Sequence, residues 1–266
     1  AQGSGLANYA VTYQPGTLTI DPAALTVTAL NQTSTYGQTP VLGTAKFSTS
    51  GLVNGDTVSG VTLATTATGA STVGNYGITA SAAQGSGLAN YAVTYQPGTL
   101  TIDPAALTVT ALNQTSTYGQ NPALGTAKFS TSGLVNDDTV SGVTLATTAT
   151  GASTVGNYGI SAASAVGTGL SNYTVSYAPG TLTIDPAALT VTALNQSSTY
   201  GQTPVLGTAS FSTAGLVNGD TVSGVTLATT ATGASTVGRY GITASAAQGS
   251  GLANYAVTYQ PGTLTI

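Results

Sequence analysis

One string fixes the organisation of this chain. Asp-Pro-Ala-Ala-Leu-Thr-Val-Thr-Ala-Leu-Asn-Gln begins at Asp21, at Asp103 and at Asp185, with a spacing of 82 residues both times. Three complete units result, 21–102, 103–184 and 185–266. Residues 1–20 repeat 83–102 and 247–266 without a change, and read as the C-terminal fragment of a preceding repeat in an array that continues upstream. The first and third units differ at four positions: Thr33/Ser197, Lys46/Ser210, Ser50/Ala214 and Asn75/Arg239. A period of 82 exceeds the roughly 20–45 residues of a solenoid coil. It suffices for a small domain with its own core, although such a domain buries only about 60% of its unfolded surface. The expectation is therefore a string of small domains, one per repeat.

Within a unit the hydrophobic pattern has a period of two. Leu25, Val27 and Ala29 alternate with Thr26 and Thr28, and Tyr91, Val93 and Tyr95 alternate with Ala92 and Thr94. Tyr76 and Ile78 flank Gly77, while Leu100 and Ile102 close the unit. One apolar and one hydroxylated face mark half-buried antiparallel strands. Turn formers punctuate them at Tyr36-Gly37-Gln38-Thr39-Pro40, Asn54-Gly55-Asp56 and Pro97-Gly98. The pattern predicts six or seven short strands per unit, with one helical turn near Ser48–Leu52. The fold class expected is all-β: a tandem array of small antiparallel domains, sandwich-like or β-grasp-like, forming an extended rod. About four residues separate Ile102 from Leu107, and Pro104 among them fixes its own φ and extends Asp103. The joints Asp21-Pro22, Asp103-Pro104 and Asp185-Pro186 should therefore be semi-rigid.

Composition removes most chemistry. The chain has seven Asp, three Lys or Arg, and no Glu, His, Cys, Met or Trp, against 52 Thr. Without His or Cys there is no triad, no Cys-His pair and no usual zinc, copper or haem ligation. Three cations in 266 residues cannot form a phosphate-binding surface, so nucleic acid is a poor partner. No apolar run reaches the 18 or so residues of a membrane helix, and membrane insertion of this segment is not expected.

The units resemble the MBG family of tandem modules, in its YGX variety, found in very large bacterial surface proteins and filamentous-haemagglutinin-like adhesins. The residues that carry the likeness are Leu25-Thr26-Val27-Thr28-Ala29, Thr35-Tyr36-Gly37, Gly51-Leu52-Val53-Asn54-Gly55-Asp56-Thr57, Val73-Gly74-Asn75-Tyr76-Gly77-Ile78 and Gly98-Thr99-Leu100-Thr101-Ile102. The Tyr-Gly pair recurs at Tyr118-Gly119 and Tyr200-Gly201. The resemblance implies a mainly-β spacer module at the bacterial cell surface, with no known ligand and no catalytic residue.

Each candidate site has a plainer reading beside it. Asp56, Asp137, Asp138 and Asp220 could offer oxygens to calcium, the one cofactor worth weighing, but calcium wants six to eight oxygens and each unit holds two or three acids. Asn-Gly and Gly-Asp are also ordinary turn chemistry. Asp21, Asp103 and Asp185 bring a single carboxylate to each joint, thin support for an ion that would stiffen it. An internal Lys–Asn cross-link is rejected, because Ser210 replaces Lys46 in a unit otherwise almost identical. Tyr91 and Tyr95 share strand parity with Val93 and read as core rather than as a sugar-stacking platform.

The favoured function is a structural stalk of a long secreted adhesin or extracellular filament, without catalysis. Its partners would be further repeats of the same chain or other copies of it. The alternative is a module that binds polysaccharide or itself and acts by avidity, in biofilm or cell-cell adhesion. Residues 1–20, with Tyr13, Leu18 and Ile20 but no partner strands of their own, should pack as part of a neighbouring unit, supplied by another copy of the chain or by upstream sequence.

Overall fold

The computed structural model describes all residues, 1–266. Two compact units result: Ala1–Ala105, which holds the first repeat, and Ala106–Ile266, which holds the second and third. Each repeat has seven strands and no α-helix. In the first repeat these are β1 (Ala23–Ala29), β2 (Gln32–Thr35), β3 (Phe47–Ser50), β4 (Val58–Ala64), β5 (Gly74–Gly85), β6 (Tyr91–Gln96) and β7 (Gly98–Asp103). They form a three-stranded sheet of order β3-β1-β6 and a four-stranded sheet of order β2-β7-β5-β4.

The alternation read from the sequence becomes burial. Along β1, Leu25, Val27 and Ala29 point inward while Ala24, Thr26 and Thr28 are more exposed. Leu25 and Val27 pack with Val61 of β4 and Tyr91 of β6, so both sheets contribute to one core. The long strand β5 serves twice: Gly74–Ile78 pairs with β7, and Thr79–Gly85 pairs with β4 across a bulge. Ala82 takes a φ of 48° in that bulged stretch.

Four expectations need correction. The sheets are mixed rather than antiparallel: β6 runs parallel to β1, and β7 parallel to β2. Such pairings join segments nearly 70 residues apart, and period-two patterning says nothing about strand direction. The helical turn near Ser48–Leu52 is instead β3, because Thr26–Ala29 needs an antiparallel partner on its second edge. The absence of any α-helix removes the β-grasp alternative and leaves a two-sheet sandwich. The tyrosines divide: Tyr91 is buried, but Tyr95 remains 37% exposed, its hydroxyl accepting the Ala83 amide at 2.9 Å.

Residues 1–20 pack on none of the three repeats of their own chain. Apart from one 3₁₀ turn at Leu6–Asn8 they form no helix or strand, and all but the partly buried Leu6 are exposed. Leu18 and Ile20 are 85% and 88% exposed, whereas their counterparts Leu100 and Ile102 are at 1%. The reason lies in the topology. A closing strand sits between the second and fifth strands of its repeat, and in each repeat those flanks are taken by its own closing strand.

The two environments of one sequence make a controlled experiment. Ile102→Ala should destabilise the first repeat by about 2–4 kcal/mol in denaturant unfolding, the cost of a cavity in a filled core. Ile20→Ala, within the same sequence, should change stability by less than about 0.5 kcal/mol.

Candidate functional site at the joint of the second and third repeats

The closing strand of the second repeat, β14 (Gly180–Asp185), and the opening strand of the third, β15 (Ala187–Ala193), are separated by Pro186 alone. β14 lies between β12 (Gly156–Gly167) and β9 (Gln114–Thr117), and pairs in parallel with β9 through Asp185 and Thr117. The Tyr118-Gly119 turn that ends β9 is thereby carried to the third repeat. The Tyr118 amide donates to the Asp185 carbonyl at 2.9 Å and the Gly119 amide to the Gly151 carbonyl at 3.1 Å.

The tyrosine crosses into the next repeat. Its hydroxyl donates to Asp220 Oδ2 at 2.9 Å, and its ring meets Tyr255 edge-on, with centroids 5.5 Å apart and planes at 84°. Tyr255 itself donates to Asp220 Oδ2 at 2.9 Å and accepts the Val217 amide at 2.9 Å. One carboxylate oxygen thus gathers two phenols, one from each repeat. Gly119 has a φ of 88°, and a Cβ there would stand 2.6 Å from Val217 Cγ2. Any other residue would push the third repeat away. Two asparagines complete the seam: Asn218 Nδ2 donates to the Gly151 carbonyl at 2.9 Å, and the buried Asn254 accepts the Val155 amide at 3.0 Å.

The apolar core does not stop at the joint. A single buried cluster joins Tyr118, Ile160, Leu182 and Ile184 of the second repeat to Leu189, Val191, Val225 and Tyr255 of the third. These two repeats are therefore not independent beads. Burial raises the pKa of Tyr255 above its ordinary value near 10, the hydrogen bond and charge of Asp220 act in the same direction, and the Val217 amide opposes them. A phenolate beside that carboxylate would be unfavourable, so the site holds its proton.

The other predicted residues fall as follows. Asp56 and Asp138 accept Tyr91 and Tyr173 at 3.0 and 2.9 Å, so the half of the site internal to a repeat is already built in each. Asp137 occupies a turn with a φ of 60°. The side chains of Asp21, Asp103 and Asp185 are exposed, and the Asp103 carbonyl accepts the Tyr36 amide at 2.9 Å. Pro22 directly precedes β1, and Pro104 stands between β7 and β8 (Ala105–Ala111). No three acidic side chains converge. Gly37 and Gly201 share the left-handed backbone of Gly119, at 85° and 81°. Tyr36 is as buried as Tyr118, at 6%, whereas Tyr200 is 64% exposed. The sequence marks the Tyr-Gly pair by its recurrence but not its partners: Asp220 reads there as a turn residue or calcium candidate, and nothing in the pattern points to Tyr255, Asn218 or Asn254.

Tyr118→Phe keeps the ring and removes the hydroxyl, and should lower the stability of the second and third repeats by about 1–2 kcal/mol. Tyr200→Phe, at the equivalent but exposed position, should leave thermal unfolding unchanged. The sign for pH follows from the raised pKa: the folded state binds the Tyr255 proton more tightly than the unfolded chain. The stabilisation is complete below about pH 10 and is lost as pH rises through the folded value. Thermal scans from pH 8 to 11 should show that fall, and Tyr255→Phe should flatten it.

A search of curated proteins finds no match to the chain. The sequence signature described as the MBG domain (YGX type) matches residues 25–101, 107–183 and 189–265. The chain therefore belongs to the MBG domain (YGX type) family, of which it carries three tandem copies.

Proposed function

We propose that this chain is a load-bearing segment of a secreted bacterial surface adhesin, one whose repeats hold a binding tip away from the cell. The observation that carries this reading is the core running unbroken across the joint of the second and third repeats. A spacer needs joints that resist bending. A single proline connector with a shared core, a phenol–carboxylate bond and a glycine contact supplies such resistance without any ligand. The chemistry at the seam is hydrogen bonding and packing, with Asp220 occupied by two tyrosine hydroxyls. We assign the segment no catalytic role and no cofactor.

The uncharged surface suits this work. With a net charge of −4 over 266 residues, the segment depends little on ionic strength. The half-exposed Tyr95 and Tyr177 favour a second reading, in which each repeat stacks a sugar, because the rings recur at the period of the repeat.

Small-angle scattering of the full chain tests the stalk. An elongated particle, unchanged between low and high salt, is the expected result; a compact globule would remove the reading. Free glycans at millimolar concentration should leave the profile unaltered.

A further inference from the structure

The seam between the second and third repeats holds two phenols at one acceptor. Tyr118 and Tyr255 each donate to Asp220 Oδ2 at 2.9 Å, so their hydroxyls lie within twice that distance of each other. The ring centroids are 5.5 Å apart and the planes stand at 84°. An ortho carbon is two bonds from its hydroxyl oxygen, so ortho carbons of both rings gather round the same carboxylate. The composition gives this pair a second meaning. Thiols and thioethers are the usual first sites of oxidation, and the chain has no Cys, Met, Trp or His. Tyrosine is its one readily oxidised side chain. Tyr118 and Tyr255 are themselves buried, and the partly exposed Tyr158 and Tyr259 pack against the same core.

We infer that Tyr118 and Tyr255 form a site for an oxidative cross-link, a carbon–carbon dityrosine bond that joins the second repeat to the third. The co-reactant is a one-electron oxidant, two equivalents for each bond. Loss of an electron makes a phenol proton strongly acidic, and Asp220 Oδ2 already accepts that proton from either ring. Transfer to it needs no rearrangement. Asp220 is only half-buried, so water can remove the first proton before the second phenol is oxidised. The two neutral radicals then couple through one ortho carbon each. The hydrogen on each of those carbons moves to its own phenol oxygen, and both rings regain aromaticity. Two electrons pass to the oxidant, two protons pass to solvent, and one carbon–carbon bond has formed. Burial shapes the reaction in two ways. The electron vacancy enters through the partly exposed rings on the same core, Tyr158 and Tyr259, instead of by direct contact with the oxidant. A radical formed inside is shielded from solutes, and the ring it meets is its partner. The two residues are 137 positions apart, so the bond closes a long loop and restricts the unfolded chain.

The inference rests on the seam geometry and stands whether or not the segment is a stalk. Irradiating the dilute full chain with a photo-excited ruthenium complex and persulfate supplies the oxidant. Trypsin then reads the product, because Lys46, Lys128 and Arg239 are the only basic side chains. From the unfolded chain it releases residues 47–128, which hold Tyr118, separately from 240–266, which hold Tyr255. The expected result is a covalent pair of those two fragments, lighter than the separate fragments by two hydrogens. The product should keep the mass of one chain under denaturing conditions, and fragment spectra should place the bond at Tyr118 and Tyr255. The linked chain should also unfold at a higher temperature than the unlinked one. Tyr118→Phe keeps the ring and should lose the fragment pair, whereas Tyr200→Phe should retain it. The bond mapped in the unaltered chain decides the site whatever the stability of the Tyr118→Phe protein. Absence of the pair while exposed tyrosines couple would overturn the inference. So would a pair that survives Tyr118→Phe, or one that forms only between chains.

Discussion

The placement of the closing strand governs the rest of this structure. In the second repeat β14 is not an edge: it lies between β9 and β12, paired in parallel with one and antiparallel with the other. The last residues of the repeat therefore emerge from the middle of a sheet, beside the end of β9. Because the emerging chain and the Tyr118 turn are adjacent, one proline suffices to start the next repeat and the tyrosine already faces it. A closing strand on an edge would have needed a longer linker and given no such contact. Joint and fold are set by the same pairing.

The chemistry of the joint follows from a composition nearly free of charge. Seven carboxylates cannot be spread as surface salt bridges when only three cations exist. Asp220 is used instead as a neutral-partner acceptor, drawing two phenols to one oxygen. Hydrogen bonds to a carboxylate are stronger than neutral ones, and partial burial screens them less from salt. Tyrosine serves this arrangement because its ring fills the shared core while its hydroxyl reaches the carboxylate. Phenylalanine would do only the first.

Much of the fold was legible in the sequence. The 82-residue period marked the units, and the alternation of Leu25, Val27 and Ala29 marked buried strand faces. Strand direction was not legible, because β1 and β6 pair across a separation of 68 residues and a period of two is blind to direction. The helical turn expected near Ser48–Leu52 fails for a similar reason: the strand state of Phe47–Ser50 comes from its partner β1, not from its own residues. The site was half legible. Tyr118-Gly119 stood out by recurrence, but its acceptor Asp220 is 102 residues away, and Asn-Gly-Asp is a sound turn whether or not a phenol reaches it. Local patterns report which residues turn or pair; they do not report which surface the next repeat will cover.

The interface also has a direction, and that has consequences for assembly. Its two faces are different patches, so the contact is head-to-tail, and a head-to-tail contact that does not close on itself is open-ended. Linking copies covalently satisfies each internal seat at high effective concentration, so an individual joint need not be strong. Repeat arrays commonly blunt the last copy with an altered, polar outer face. The third repeat keeps Tyr200, Gly201 and Val237, the counterparts of the Tyr118, Gly119 and Val155 with which the second repeat holds its neighbour. Two properties that help a tandem array, uniform repeats and a directional joint, thus leave an apolar, specific surface wherever a repeat is not followed by another.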